Sequence, residues 1–364
     1  MSRKKKNSSD SLHLRRHEVP PDGGQLFANP TSPLCTLNIA SSASATWTFK
    51  RAPTILYESK EIMVLSKGPH WICTYNSHKS SNYQRPSYPT RQNMFRDTRS
   101  SQEILASPNE EHLDHFLAKQ YNDEMAQNWS EANDGAGCVH RLDKNTSGCL
   151  LRAKTSKGWE QLLQQLQRGW IQKVYVCLVH GRIPAKSHSG ELLPEIKIDT
   201  PISSDGQRSW VDRKNGEAAE TLIKCLAHYQ DQNDISTEYS LCQIQILTGR
   251  THQIRVHMAH WGNCIVSDAK YNPLMVCNDE KWCKRIFLHA AHVTFWDDNK
   301  KQYCNAPLDN DLLQALSNLR LKEDFSQADY LFLQIMTTAN RSEPSARKSI
   351  QIRCSIFPGS RMNM

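Results

Sequence analysis

A polar segment followed by an apolar run, from Cys138 to Leu151, constrains the fold of this chain more than any other stretch. Asp143 and Asn145, next to Thr-Ser-Gly, are typical of a tight turn, and the apolar residues after Gly148 predict a buried strand. A carboxylate just before such a strand lies where a rigid scaffold meets solvent, a common place for catalytic groups. The alternative interpretation is a surface turn with an Arg–Asp pair.

Composition narrows the class of protein. The chain has 364 residues, enough for one large domain or two ordinary ones, and 38% of them are hydrophobic. A net charge of +8 favours a polyanionic partner such as RNA or DNA. Twelve scattered cysteines without a Cys-x-x-Cys pair predict reduced thiols in an intracellular protein, whether in the cytoplasm, the nucleus or an organelle. No signal peptide or long apolar span is visible, so we expect no membrane role.

The pattern along the chain predicts one ordered core between two extensions. Residues 1–51 are basic and polar without periodicity, which predicts a disordered tail. Residues 52–324 form the expected core, residues 76–110 read as a polar insertion, and residues 325–364 as a C-terminal extension. The insertion interleaves Arg with aromatic residues, so it is either a grip on single-stranded nucleic acid or an unstructured loop.

Hydrophobic periodicity within the core predicts a strand-rich mixture of helices and strands. We expect strands at 54–58, 61–67, 171–179, 219–226, 239–247 and 285–295, and a hairpin region at 185–217. One helix is predicted to be capped at its start by Thr155 or Ser156 and to end near Gly169, and another to run from Thr251 to Trp261 and end at Gly262. A last helix is expected to carry Leu312 to Leu319.

Four clusters carry side chains with chemistry, in the order HRLDKNTSG from His140, KVYVCLVHG from Lys173, TGRTHQIRVH from Thr248 and LHA from Leu288. Together they resemble the signature of the RluA-type pseudouridine synthases, over about residues 55–313. The resemblance implies an α+β fold, in which a curved, mostly antiparallel mixed sheet is flanked by helices and loops around an RNA cleft.

The same resemblance implies roles for individual residues. Asp143 would be the catalytic aspartate, Tyr175 the active-site tyrosine and Arg255 the arginine paired with the aspartate. Leu288 would form an apolar wall, and Arg141 would help to flip the target base. A last group, which also stands inside the matching motifs, is assigned to binding of substrate or RNA: His140, Arg250 and His252.

The implied reaction converts uridine to pseudouridine, breaking an N-glycosidic bond and rejoining the base through carbon. Because no redox change or external group is required, we expect no cofactor and no metal. A carboxylate must act near the sugar–base linkage, at the base or at the sugar. A Tyr on a rigid strand can stack on the flipped uracil and place a hydroxyl for proton removal at C5. RNA is the expected partner and a monomer the expected state.

The sequence departs from the family pattern at three places. Lys67-Gly68-Pro69-His70 stands where Lys-Pro-x-Gly is usual, and residues 262–268 stand where Gly-His-Pro-Ile-x-Gly-Asp is usual. Arg152 occupies a position where an aromatic or aliphatic residue is common. We expect these changes to affect turns and flanks and to leave the chemistry intact.

Three other functions fit parts of the sequence. A metalloenzyme would use a set of imidazoles as ligands: His252, His257, His260, His289 and His292. A catalytically idle RNA-binding module with the same fold would keep the scaffold but not the chemistry. A nuclease would need a pair of carboxylates for metal ions, which these motifs do not supply.

Overall fold

The structure is a computed structural model that describes residues 51–73, 111–113, 116–117, 137–187 and 189–326. The predicted tail up to residue 50, the insertion at 76–110 and the extension beyond residue 326 lie outside these ranges.

Strands dominate the described residues. The first seven are β1 (Thr54–Glu58), β2 (Ile62–Lys67), β3 (Trp71–Ile72), β4 (Glu111–His112), β5 (Ser147–Ala153), β6 (Gln172–His180) and β7 (Ile196–Ile198). The next seven are β8 (Ile202–Ser204), β9 (Ser209–Val211), β10 (Thr221–Asp231), β11 (Glu238–Ile246), β12 (Leu288–Asp297), β13 (Lys300–Asn305) and β14 (Leu319–Asp324). The helices with defined bounds are α1 (Ser156–Gln167), α2 (Gln253–Trp261), α3 (Val276–Asp279) and α4 (Asn310–Ser317).

Within the described ranges, ten strands form one sheet in the order β1-β2-β5-β12-β6-β11-β10-β14, with β13 beside β12 and β7 beside β10. All its pairings are antiparallel except that of β12 with β5. The expected α+β fold with a mostly antiparallel mixed sheet is therefore confirmed. The parallel pair brings the start of β12, which carries the LHA motif, beside the start of β5, where the motif that begins at His140 ends.

Strand β6 shows how the alternating sequence separates two layers of core. Tyr175 and Cys177 are buried in one apolar cluster, while Val176 and Leu178 are buried in another on the opposite face. This is the alternation that the sequence predicts. The face that carries Tyr175 also carries Lys173, and this is the face on which the cavity described below opens.

Helix α1 begins and ends as the sequence predicts. The Thr155 side chain accepts a hydrogen bond from the Gly158 backbone N–H, which caps the first turn. Gly169, at φ 67°, turns the chain immediately after the helix. Leu162 and Leu166 then pack into the apolar cluster between α1 and the sheet.

Some sequence predictions were wrong. Leu319 was assigned to the last helix, but α4 ends at Ser317 and Leu319 begins the edge strand β14. Strand β13 and the short helix α3 were missed. Arg152 was expected at a turn or flank, yet it lies fully buried within β5, one residue before the end of the strand, in register with Met63 of β2. Its position is set by strand pairing, which short-range patterns do not reveal.

No helix in the described part of the chain is both long enough and apolar enough to cross a lipid bilayer.

Candidate active site

The segment from His140 to Thr146 forms a turn at the entrance to strand β5. The Thr146 N–H donates to the Asp143 carbonyl at 3.1 Å, which closes the turn and leaves the Asp143 side chain partly exposed. Chain direction then reverses into β5, whose residues are all buried. The predicted turn and the predicted strand are both present, and Asp143 lies where the rigid sheet meets a cavity.

Two buried cations hold this turn. The Lys67 amine donates to the Lys144 carbonyl at 3.0 Å and to the carbonyls of Gly68 and Trp71 at 3.0 and 3.2 Å. Arg285 donates to the Asn145 carbonyl at 3.2 Å and to the Ser147 hydroxyl at 3.1 Å. The backbone on both sides of Asp143 is therefore tied to the scaffold, which limits how far the carboxylate can move.

Gly148 lets the turn approach β12. Its φ is 111°, and a Cβ there would lie 2.1 Å from the Ala290 carbonyl oxygen. Any side chain would force the two parallel strands apart. This close approach explains why a glycine follows the Thr-Ser pair in this motif.

Helix α2 brings Arg255 to the same place. Arg255 Nη1 donates to Asp143 Oδ2 at 2.9 Å, so the ion pair expected from the motifs is present. The other side of the guanidinium binds Asp268 through two hydrogen bonds, of 2.8 Å from Nε and 2.6 Å from Nη2. Although burial lowers the pKa of Arg255, Asp268 first and Asp143 second raise it above its ordinary value. Arg255 is thus a fixed cation between two carboxylates.

His252 completes the surroundings of Asp143. It precedes α2 in a left-handed conformation, φ 55°, and such a conformation in a non-glycine residue costs about 1–3 kcal/mol. Its Nε2 lies 3.7 Å from Asp143 Oδ2, and its Nδ1 lies 2.9 Å from the Tyr271 hydroxyl. Burial lowers the pKa of His252, so the ring is neutral at neutral pH.

A cavity of about 380 Å³ opens beside this group. Its volume falls in the range of ligand sites in proteins. Its lining includes every residue that the sequence assigned to the site, namely His140, Arg141, Asp143, Tyr175, Arg250, His252, Arg255 and Leu288. The structure thus brings together residues that are more than a hundred positions apart in the sequence.

Tyr175 and Leu288 form the buried, largely apolar part of the lining, with 6% and 4% of their surface exposed. Burial, followed by the charge of Asp143, raises the pKa of the Tyr175 hydroxyl well above its ordinary value. The phenol is therefore neutral, which suits stacking and hydrogen-bond donation better than proton removal. The proton-accepting role suggested from the sequence gains no support from this environment.

The remaining predicted residues lie at different depths. Arg141 is exposed at the opening. Arg250 is also exposed, and it donates to the Ala218 carbonyl and pairs with Glu217. His140 Nε2 accepts the Leu151 N–H at 3.1 Å, and burial lowers its pKa to about 3. This bond gives His140 a structural task, and its assignment to RNA binding stays a prediction.

Sequence reasoning missed the roles of Lys173 and Asp268. Lys173 lines the cavity with 8% of its surface exposed, and its amine forms no hydrogen bond or ion pair with the residues that the structure describes. Burial lowers its pKa to about 8. The family motif itself contains this Lys two positions before Tyr175, on the same strand face, which was the available signal. For Asp268 the available signal was its place at the final Asp of the Gly-His-Pro-Ile-x-Gly-Asp pattern, which is kept although the His, the Pro and the second Gly of that pattern are replaced.

The histidines proposed as metal ligands are separated and engaged elsewhere. His257 binds Thr221 and the Thr200 carbonyl, and His289 binds Ser147 and the Ala306 carbonyl, all between 2.8 and 3.1 Å. His292 binds Asn305 and Thr294. With both ring nitrogens of each in use, these imidazoles have no lone pair directed at a common point.

Comparison with known proteins finds relatives of one class. Residues 98–260 match the family model described as RNA pseudouridylate synthase. An uncharacterized RNA pseudouridine synthase of Bacillus subtilis is 35% identical over 188 residues, which cover 50% of this chain and 56% of that protein. Ribosomal large subunit pseudouridine synthase D of Neisseria meningitidis is 33% identical over 199 residues, covering 51% and 49%. The chain spans about half the length of the curated relatives it matches.

A solved structure supports the fold. Human RNA pseudouridylate synthase domain containing 1 superposes with a TM-score of 0.52 at 19% identity, over 78% of this chain and 94% of that one. The resemblance drawn from the four motifs is therefore confirmed. By these matches the chain is similar to the RluA-type pseudouridine synthases.

Proposed function

We propose that the protein is an RNA pseudouridine synthase that isomerises specific uridines in RNA. The observation that carries this proposal is the Asp143 carboxylate, held 2.9 Å from the largely buried Arg255 guanidinium in a cavity that also contains Tyr175. A partly desolvated charge pair that faces a cavity suits a catalytic task.

In this proposal the target uridine leaves its stack and enters the cavity, where its base packs on Tyr175 and against Leu288. Asp143 acts at the linkage between N1 and C1′, while Arg255 keeps the carboxylate oriented. The N1–C1′ bond breaks, the uracil turns, and a C5–C1′ bond forms. The hydrogen on C5 leaves as a proton, and one proton is returned to N1, so the reaction is an isomerisation.

Lys173 suits the bond-breaking step. As the N1–C1′ bond breaks, negative charge develops on the uracil ring and its carbonyl oxygens. An ammonium group already desolvated in the cavity stabilises that charge without reorganising. Its lack of a protein partner among the described residues leaves it available for the base.

Arg141 and Arg250 lie exposed at the opening and are proposed to act on the RNA outside the cavity. A guanidinium at position 141 can fill the gap left by the extruded uridine and stack on its neighbours. Arg250 and His252 are proposed to bind the backbone of the flipped nucleotide. The names of the relatives make ribosomal RNA the first substrate to examine, and the protein is proposed to act as a monomer.

Mapping pseudouridines in cellular RNA tests this function. RNA would be compared from cells with the gene, without it, and with the gene encoding Asp143→Asn. We expect at least one uridine site that is modified only in the first sample. If all three samples carried the same pseudouridines while the protein bound RNA, the idle RNA-binding module would be the correct interpretation.

A further inference from the structure

The residues at the opening of the cavity are those that both line the cavity and are exposed to solvent. Within the described residues these are Arg141, Gly169, Leu247, Gly249 and Arg250. They come from the turn before β5, from the turn between α1 and β6, and from the turn between β11 and α2. An RNA strand whose uridine enters the cavity must cross this opening, because the sugar and phosphates stay outside.

The turn after α1 carries an aromatic residue paired with a cation at this opening. Trp170 is 48% exposed, and the guanidinium carbon of Arg168 lies 4.9 Å from the centre of its indole. The residues on either side of Trp170, Gly169 and Ile171, both line the cavity. Trp170 thus lies beside the opening, with an exposed indole that is not itself part of the cavity lining.

The backbone of this turn is fixed although its side chains are exposed. The Arg168 N–H donates to the Gln164 carbonyl at 3.0 Å, and the Trp170 N–H donates to the Gln165 carbonyl at 2.9 Å. Both bonds attach the turn to the end of α1. An RNA base that stacked on Trp170 would therefore meet a surface that is already in place, and little ordering entropy would be lost.

Exposed tryptophans are not unusual alone, and the chain has others, such as Trp261 and Trp296, at 46% and 40% exposure. Neither of these has a cation over its ring in the described structure, and neither lies next to a residue that lines the cavity. Trp170 combines a π-face, a positive charge and a position beside the opening. Single-stranded nucleic acid is recognised by this combination, because bases stack on the ring and the cation attracts the phosphates.

We propose that the Arg168–Trp170 pair binds the nucleotide next to the target uridine, with its base stacked on the indole. The proposal rests on the proposed function for the uridine in the cavity. The neighbouring base has a second face, turned away from the gap that Arg141 fills, and the indole stacks on this second face. The nucleotide is thus held by its π-face, so the pair accepts any base there.

Two decamer RNAs test the stacking directly. One is decauridylate, and the other has a single central uridine flanked by abasic riboses, so that a base is present for the cavity but none for the indole. We expect Trp170→Ala to weaken binding of decauridylate at least about fivefold, the equivalent of about 1 kcal/mol of stacking. Binding of the second decamer should change less than twofold, and Trp170→Phe should retain most of the affinity for both.

Trp296→Ala is the matched control, because Trp296 is exposed on β12 away from the cavity lining. It should leave both affinities unchanged. Equal losses on the two decamers with Trp170→Ala, or no loss on either, would overturn the proposal. Equal effects of Trp170→Ala and Trp296→Ala on decauridylate would also overturn it.

The measurement is independent of catalysis. If Trp170→Ala discriminates between the decamers but the protein forms no pseudouridine in any RNA, the proposed function fails and the stacking site stands. If pseudouridine forms and the decamers are not discriminated, the stacking site fails and the proposed function stands.

Discussion

Arg255 lies between two carboxylates that have different tasks. Asp268 is 1% exposed and uses both oxygens to hold the guanidinium, whereas Asp143 is partly exposed and receives a single hydrogen bond. One carboxylate thus orients the arginine, and the other keeps an oxygen without a hydrogen bond from the described residues, as the proposed chemistry requires. The division follows from burial and hydrogen bonding, since both residues are chemically the same.

Asp268→Asn tests this division. The neutral amide loses the charge that fixes Arg255, so the guanidinium can rotate and take both oxygens of Asp143. We expect kcat to fall about 10- to 100-fold, with KM nearly unchanged, because the loss concerns orientation of reacting groups. Stability should fall by about 3 kcal/mol, because the buried Asp268–Arg255 ion pair is broken by removal of one partner. Asp212→Asn, in an exposed turn, is the control; an effect on KM alone would contradict the orienting role.

Lys173→Met tests the cation in the cavity. Burial lowers the pKa of Lys173 to about 8, so its charge is present below pH 8 and is lost as pH rises through that value. We expect single-turnover rates of the wild type to fall above pH 8 and those of Lys173→Met to be about 100-fold lower at pH 7. Above pH 8 the rate of Lys173→Met should decline less than that of the wild type, because the variant has no charge at position 173 to lose.

Groups other than Lys173 also contribute to the dependence of the single-turnover rate on pH. Lys67 has a pKa lowered to about 8 by burial, and it titrates in wild type and variant alike, so the difference between the two profiles isolates Lys173. The titratable or charged groups that share the cavity are His140, Asp143, Tyr175, Arg250, His252 and Arg255. Identical pH profiles for wild type and Lys173→Met would contradict a catalytic charge at this position.

Arg285 lies just before β12 and connects this strand to the start of α4 and to the Asp143 turn. It pairs with Asp309 and Asp311 at the start of α4, at 3.1 and 2.6 Å, and it binds the backbone of the Asp143 turn at Asn145. It is 5% exposed. The turn that carries the candidate catalytic aspartate is therefore fixed by an arginine far away in sequence.

Arg285→Met should destabilise the fold by about 3–5 kcal/mol, since two carboxylates lose their buried partner. Urea unfolding measures this change. The matched control is Arg182→Met: Arg182 also pairs with two carboxylates, Glu238 and Glu323, but its side chain is 44% exposed. Its loss should cost about 1 kcal/mol or less. Similar costs for the two variants would mean that Arg285 does not hold these elements together.

The sequence correctly predicts those features of the fold that depend on residues close together in the chain or on a recognised motif. The alternation in β6 and the cap at Thr155 are short-range signals, and both features form as predicted. Leu319 was misassigned because its spacing continues the apolar face of α4, whereas pairing with Asp231 of β10 draws it into a strand. The ion pairs of Arg285 and Asp268 form only after particular strands have become neighbours. The sequence of any single segment does not predict which strands will pair.

For the whole molecule, the net charge of +8 predicts that RNA affinity depends on salt. Lysines and arginines that contact phosphates release counterions, so log Kd should rise linearly with log salt concentration. Fluorescence anisotropy with decauridylate between about 50 and 200 mM salt measures the slope, and about 0.7 is expected per phosphate contact on a single strand. A slope near zero would contradict an electrostatic contribution to RNA binding.

Tritium release tests whether Asp143 catalyses formation of pseudouridine in RNA. When C5 bonds to C1′, its hydrogen is released, so RNA labelled with tritium at C5 of uracil loses tritium to water. The RNA should come from cells that lack the protein, so that its sites are unmodified. We expect the wild type to release tritium, and Asp143→Asn to release it about 10³-fold more slowly. The two proteins should bind RNA with affinities within twofold of each other. Release by Asp143→Asn at the wild-type rate would contradict a catalytic role for Asp143.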